Sequence, residues 1–299
     1  MIKKKNITIE EIYLNELNNK NKWRELTVQY KFSEEILETF ADKFDWELIS
    51  MHQTLSEKII ARHIDQVNWY FISAFQKLSE NFIEKFRNSV NWNLISMHQT
   101  LSEAFIERYI GEIDWDSIST YQTLSENFIK KYSDRVNWRK ISEHQKLSEK
   151  FMEQYKHNID WYYISAFQKL SENFIEKFQD KIDWYYISRD QVLSEELIEK
   201  HLDKIDWISI SAYQILSENF IKKHADKINW KRISRCQRLS EKLIERYKNK
   251  VNWFYISKYQ ILSENFIEKF QDRVYWECIF KYQKLSKEFK KKYSDEIES

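Results

Sequence analysis

Apolar and polar residues recur along this chain with a period of 23 residues, and every period contains one tryptophan. The tryptophans stand at positions 23, 46, 69, 92, 115, 138, 161, 184, 207, 230, 253 and 276. Counting each tryptophan as slot 0, the consensus is Trp-x-x-Ile-Ser-x-x-Gln-x-Leu-Ser-Glu-x-Phe-Ile-Glu-Lys-Phe-x-Asp-Lys-Val-Asp, which the segment 161–183 follows closely. This spacing predicts twelve tandem repeats over residues 23–298.

Slot 10 is serine in every repeat and predicts the start of a helix, here called helix B. A serine side chain at a helix N-cap accepts a hydrogen bond from a backbone N–H of the first turn. Glutamate follows at slot 11 in all repeats but the last. This slot lies in the first turn of helix B, where the helix dipole favours an anion. We expect structural caps at the internal serines Ser56, Ser79, Ser102, Ser125, Ser148, Ser171, Ser194, Ser217, Ser240 and Ser263.

Slots 19 and 22 predict where helix B ends and where a second helix, helix A, begins. Slot 19 holds Asp, Asn, His or, at Gly111, the only glycine, so we expect a left-handed backbone that ends helix B near slot 18. Slot 22 is Asp or Asn before ten of the twelve tryptophans and predicts a second N-cap. Helix A then runs from the tryptophan to about the glutamine at slot 7.

Projection at 100° per residue separates two faces on each helix. On helix A, slots 0, 3, 4 and 7 form a nearly constant face, whereas slots 1, 2, 5 and 6 vary. Helices of two turns are unstable alone, so the repeats must stack to cover their apolar faces. We therefore predict an all-α fold, an α/α solenoid of twelve two-helix repeats that is elongated and curved or superhelical. A leucine-rich repeat has a similar length, but its alternating leucine strand is missing here.

Both ends of the array depart from the consensus, as capping units do. Residues 1–22 are interpreted as an N-terminal capping half repeat, in which Ile9, Tyr13, Leu14 and Leu17 occupy apolar helix B slots. The C-terminal stretch 287–299 is strongly charged, and the last repeat, residues 276–298, is predicted to act as the C-terminal cap.

Composition narrows the class of protein. One glycine and no proline agree with an all-helical chain, and 48 basic against 47 acidic residues give no bulk attraction to nucleic acid or acidic lipid. No apolar run is long enough to span a membrane, and no apolar stretch follows the N-terminal lysines as a secretory signal would. Cys236 and Cys278 lie two repeats apart, too far for a disulfide if the repeats stack, so we expect a cytoplasmic, reducing location.

The polar residues that recur at fixed slots form no recognisable catalytic or metal-binding motif. His63, His201 and His224 stand at slot 17, where the other repeats have Phe or Tyr, and are interpreted as aromatic substitutes. No Ser-His-acid set can be assembled from slots that face the same way, and one glycine excludes the glycine-rich phosphate loops. We expect no metal, no cofactor and no enzymatic activity.

The glutamine at slot 7 lies on the constant face at the end of helix A. Its amide can donate to free carbonyls and accept from a backbone N–H at the same time. The hypothesis is a ladder of glutamines that ties each repeat to its neighbour.

Aromatic residues are enriched on the variable face of helix A, and the outer face of helix B has none. Surfaces rich in tyrosine with interspersed arginine are typical of protein interfaces. The candidate partner-binding residues are Tyr70, Phe71, Tyr162, Tyr163, Tyr185, Tyr186, Phe254 and Tyr255. The alternative is that slots 2 and 6 pack against adjacent A helices, and each interpretation can hold for different slots.

The motif Trp-x-x-Ile-Ser-x-x-Gln-x-Leu-Ser-Glu-x-Phe-Ile, as in residues 161–175, resembles tandem helical repeats in uncharacterised proteins of giant DNA viruses of the mimivirus kind. The resemblance covers residues 23–298 and implies a host-cell location and no catalytic residues to transfer.

Taken together, these features predict a non-enzymatic scaffold that binds a host or viral protein along the variable face of helix A. A single-stranded nucleic-acid-binding repeat protein is the alternative, although Glu47, Asp116 and Glu143 on the same face oppose it. A structural or self-assembling rod is a third interpretation. The oligomeric state stays open, and no membrane partner is expected.

Overall fold

The computed structural model describes residues 5–8 and 20–294, and in this part of the chain 24 short helices form an α/α repeat solenoid. Helix A spans slots 0–6 and helix B slots 11–16. The A helices are α1 (Lys20–Gln29), α3 (Trp46–His52), α5 (Trp69–Phe75), α7 (Trp92–His98), α9 (Trp115–Tyr121), α11 (Trp138–His144), α13 (Trp161–Phe167), α15 (Trp184–Asp190), α17 (Trp207–Tyr213), α19 (Trp230–Cys236), α21 (Trp253–Tyr259) and α23 (Trp276–Tyr282). The B helices are α2 (Glu34–Thr39), α4 (Glu57–Arg62), α6 (Glu80–Lys85), α8 (Glu103–Arg108), α10 (Glu126–Lys131), α12 (Glu149–Gln154), α14 (Glu172–Lys177), α16 (Glu195–Lys200), α18 (Glu218–Lys223), α20 (Glu241–Arg246), α22 (Glu264–Lys269) and α24 (Lys287–Lys292).

The chain divides into two compact units, Met1–Ile159 and Asp160–Ser299. In the first unit the A helices pack in sequence order, α1 on α3 and so on to α11. In the second unit α13 to α23 pack in the same way. Neighbouring repeats within each unit therefore meet through their A helices.

Side-chain caps start both helices in the ten repeats that begin at Trp46 to Trp253, whereas the A helix that begins at Trp276 has Tyr275 at its N-cap and no side-chain cap. The hydroxyl of Ser217 accepts from the N–H of Phe220 at 3.1 Å, and the carboxylate of Asp206 accepts from the N–H of Ser209 at 2.8 Å. All ten serines predicted as caps occupy helix N-caps and accept from the residue three positions on. These bonds satisfy N–H groups that a helix start otherwise leaves unpaired.

Helix B ends earlier than predicted, and a hydrogen-bonded turn follows its last residue. It stops at slot 16, and the next residue, for example His63, has φ −112° and ψ 33°. The carbonyl of His63 then accepts from the N–H groups of Gln66 and Val67 at 2.9 and 3.0 Å, so a further turn closes the helix. The φ of Gly111 lies outside the left-handed region, so the expected left-handed backbone is wrong at this residue. The turn there does not require a glycine, in agreement with the Asp or Asn found at slot 19 of most other repeats.

The core lies between the two helices of each repeat. The isoleucines at slots 3 and 14, such as Ile72 and Ile83, are fully buried. The Trp69 ring lies 5.2 Å from the Phe86 ring, and its indole N–H donates to the carbonyl of Ile64 at 3.3 Å. The tryptophan thus packs its ring against helix B of its own repeat and bonds through its polar atom to the turn that follows helix B of the preceding repeat.

The N-terminal end contains the only β-strands among the described residues. A two-residue strand, β1 (Lys5–Asn6), pairs in parallel with β2 (Tyr30–Lys31). Tyr30 stands at slot 7, where later repeats have glutamine. The predicted half-repeat residues Ile9, Tyr13, Leu14 and Leu17 lie outside the described residues, as does the end of the last repeat, 295–298.

Candidate interaction surface

The glutamine at slot 7 fixes how consecutive A helices align. The amide nitrogen of Gln214 donates to the carbonyls of Ser188 and Gln191 at 2.9 and 2.7 Å, and its oxygen accepts from the N–H of Leu193 at 3.0 Å. The same three bonds are made by Gln53, Gln76, Gln99, Gln122, Gln145, Gln191, Gln237, Gln260 and Gln283. The predicted ladder is confirmed for these repeats.

The serine at slot 4 adds a second buried link. The hydroxyl of Ser211 donates to the carbonyl of Trp207 at 2.6 Å and accepts from the N–H of Asn229 at 2.9 Å. This bond ties the end of one repeat's connecting turn to its own helix A. With slots 4 and 7 held inside, slots 1, 5 and 6 must point outward.

The outward aromatic residues divide by slot. The four slot 1 candidates Tyr70, Tyr162, Tyr185 and Phe254 are exposed. The four slot 2 candidates Phe71, Tyr163, Tyr186 and Tyr255 are half-buried. Slot 6 is also exposed, with Phe167 at 60% and Tyr213 at 61%. The packing alternative therefore describes slot 2, and slots 1 and 6 form the accessible aromatic surface.

Four of the candidates, Tyr162, Tyr163, Tyr185 and Tyr186, meet in one cluster in the second unit. The hydroxyls of Tyr162 and Tyr186 are hydrogen-bonded, and their rings lie 4.9 Å apart. This bond and partial burial raise the pKa of Tyr186 to about 12. The guanidinium of Arg189 lies 4.9 Å from the Tyr186 ring and 5.3 Å from the Tyr185 ring, and Asp190 pairs with it at 2.8 Å. The cluster is thus linked by contacts between side chains, with Tyr162 and Tyr185 exposed to solvent.

Slot 8 contributes surface residues that the sequence pattern did not assign. Val192, Ile215 and Ile261 are exposed by 91, 93 and 76%. The seven repeats before residue 170 have lysine or threonine at slot 8, so the aliphatic residues at this slot in later repeats could be recognised in the sequence. Only the structure shows that no neighbouring element covers them.

The slot 17 histidines take the place of an aromatic ring. His63, His201 and His224 lie 4.1, 4.6 and 5.3 Å from the rings of Trp46, Trp184 and Trp207. The predicted role as aromatic substitutes is confirmed. Burial lowers the pKa of His201, which favours its neutral form. Within residues 5–8 and 20–294, no three His, Cys, Asp or Glu side chains gather as metal ligands do.

The outer surface of helix B is occupied by contacts between repeats. Lys200 pairs with Glu176 of the preceding repeat at 2.8 Å, and Lys223 pairs with Glu199 in the same way. The glutamate at slot 11 also reaches the next repeat, since the carboxylate of Glu195 accepts from both the N–H and the hydroxyl of Ser217. The sequence pattern indicated only a dipole effect for this glutamate.

Comparisons with known proteins provide no relative: no family model, curated protein or solved structure matches the chain significantly. In the described part of the chain, no helix has the length and apolar character required to cross a bilayer.

Proposed function

We propose that this chain is a non-enzymatic scaffold that binds a protein partner along the outer surface of helix A. The observation that supports the proposal is the row of exposed aromatic side chains at slots 1 and 6. Large aromatic residues supply most of the binding energy at protein interfaces, and they are uncommon on surfaces that stay in water. Helix B, which has the same number of outward positions, exposes charged and amide side chains instead.

The contacts within the tyrosine cluster support the same proposal. The rings of Tyr162 and Tyr185 both contact Tyr186, and Arg189 lies over Tyr185 and Tyr186, so these side chains have less conformational freedom to lose on binding. A surface that is ordered before it meets a partner binds with a smaller entropic penalty. The resemblance to giant-virus repeats favours a host or viral protein as the partner.

The test is affinity capture by the purified chain from a lysate of the source or host cells. The variant Tyr162→Ser/Tyr185→Ser removes two exposed rings and keeps the half-buried Tyr163 and Tyr186. A matched control, Lys177→Ser/Lys200→Ser, changes two exposed residues on helix B. We expect a protein that wild type and control capture and the tyrosine variant loses, with unchanged helicity by circular dichroism. Equal capture by all three proteins would contradict the proposal.

A further inference from the structure

Helix α19 and the residue at slot 8 behind it carry four basic side chains and no acidic one. Lys231, Arg232 and Arg235 occupy outward slots of the helix, and Arg238 follows. All four are exposed, and in the described part of the chain none forms an ion pair with a carboxylate. Arg235 instead lies 5.8 Å from the Tyr255 ring.

The neighbouring A helices do not neutralise the charge of Lys231, Arg232 and Arg235, whereas Arg238 lines a surface hollow with Glu218 and Glu241 of the B helices. α17 and α21 pack on either side of α19, and neither contains an acidic residue. Cations on helix B are treated differently, since Lys223 and Lys269 each reach a glutamate of the preceding repeat. Repeat stacking therefore provides partners for the helix B cations and leaves those of α19 to attract an external anion.

Aliphatic and aromatic side chains flank the cations in register with them. At slot 1 the order across three repeats is Ile208, Lys231 and Phe254, and at slot 8 it is Ile215, Arg238 and Ile261. Each column thus has one cation between two exposed apolar residues. Removing an exposed aliphatic side chain from water is favourable, so these columns favour an occupant with apolar groups of its own.

We infer that this area, here called the α19 surface (Ile208, Ile215, Lys231, Arg232, Arg238 and Ile261), binds an acidic protein segment that also carries apolar side chains. Its carboxylates meet the three cations, and its apolar side chains cover the three isoleucines. The inference rests on the proposed function, because it assigns the chemistry of the partner bound by helix A. A single-stranded nucleic acid could stack a base on Phe254 at the edge of this surface, but the three isoleucines offer no stacking face, so the surface fits an apolar protein segment better and the test below includes a nucleic acid.

The chain provides its own reporter for this surface. Cys236 is exposed on α19 at slot 6, between the basic residues, whereas Cys278 is buried. Burial raises the pKa of the Cys278 thiol, so this cysteine reacts slowly with alkylating reagents. Protection of Cys236 from alkylation therefore reports occupation of the α19 surface.

The probe is a labelled peptide of about 20 residues made of glutamate, leucine and serine, a length that spans several repeats. One control peptide has lysine in place of glutamate, and a second has serine in place of leucine. Binding to the full chain is followed by fluorescence anisotropy and by protection of Cys236. We expect the first peptide to bind and protect, to weaken as ionic strength rises, and to bind more tightly than either control.

The matched variants lie in one repeat and change the net charge equally. Arg232→Glu/Arg238→Glu reverses two cations of the α19 surface, and Lys242→Glu/Lys248→Glu reverses two exposed cations on the helix B side. We expect the first variant to bind the acidic peptide about tenfold more weakly and the second to bind it almost as wild type does.

Equal losses in the two variants would mean that only net charge matters and would overturn the inference, as would absence of binding. Protection of Cys236 by oligouridylate but not by the acidic peptide would also overturn it, in favour of nucleic acid. The proposed function fails separately, because it depends on the tyrosine variants and the captured lysate protein. A partner lost with the tyrosines but unaffected by Arg232→Glu/Arg238→Glu would leave the scaffold proposal standing and remove this one.

Discussion

The two helices of each repeat contact their neighbours in opposite ways. Helix A is linked on its inner face, through neutral and buried bonds such as those of Gln214 and Ser211. Helix B is linked on its outer face, through exposed charges such as those of Lys200 and Glu176. On the outer face of helix A, slot 2 is half-buried in most repeats, whereas slots 1 and 6 hold exposed aromatic residues in several.

This difference accounts for where the sequence varies. Slots 4 and 7 hold the same residue in nearly every repeat, because each replacement would leave buried backbone groups without partners. Slot 15 is glutamate or lysine in every repeat but one, and slot 16 is lysine or arginine in every repeat but two. Slots 1, 2, 5 and 6 follow neither constraint, so aromatic and basic residues can accumulate there.

The largest expected effect is on the buried link. Gln214→Ala leaves the N–H of Leu193 and the carbonyls of Ser188 and Gln191 without partners inside the second unit. We expect a loss of about 2–4 kcal/mol in the free energy of unfolding, measured by urea denaturation. The control is Thr120→Ala, which removes an exposed hydroxyl of another A helix. A change in Gln214→Ala no larger than that of the control would mean that the ladder does not stabilise the fold.

The two N-caps of a repeat give a second, smaller contrast. Serine and aspartate cap helices about equally well, yet slot 10 is always serine and slot 22 is Asp or Asn. The hydroxyl of Ser217 also donates to the carboxylate of Glu195, which an aspartate could not do without repulsion. The Ser217 cap is therefore also a contact with the preceding repeat, whereas the carboxylate of Asp206 caps Ser209 of the helix that it starts.

We expect both Ser217→Asp and Ser217→Ala to destabilise the protein by about 1 kcal/mol or more, although aspartate is a good cap elsewhere. Asp206→Ser, at the other cap, should change stability by only a few tenths of that value. Thermal unfolding of the three variants compares them directly. If Ser217→Asp proved as stable as wild type, the contact with Glu195 would have no energetic role.

The sequence predicted the caps, the two helices and the glutamine ladder because each depends on interactions that recur in register every 23 residues. A constant serine or glutamine reveals its role through its position relative to apolar slots. The end of helix B was mispredicted because Asp, Asn and Gly suit both a left-handed residue and an ordinary exposed turn. The residue types at slot 19 do not distinguish these two backbones.

The candidate surface was only partly visible for a different reason. Whether Tyr163 or Phe167 is exposed depends on the angle at which neighbouring A helices pack, which the repeat pattern does not contain. The unpaired state of Arg232 and Arg238 depends on which acidic side chains lie within reach. Both properties arise between repeats, so a single consensus does not predict them.

The smallest expected effect is on the exposed link of helix B. Glu245 pairs with Lys269 of the next repeat, and both side chains are about half exposed. Glu245→Gln keeps the shape and removes the charge, and we expect a loss below about 0.5 kcal/mol because water and salt screen exposed ion pairs. The loss should disappear in concentrated salt, whereas that of Gln214→Ala should persist. A loss from Glu245→Gln that rivals Gln214→Ala and resists salt would show that helix B, and not the buried ladder, holds the repeats together.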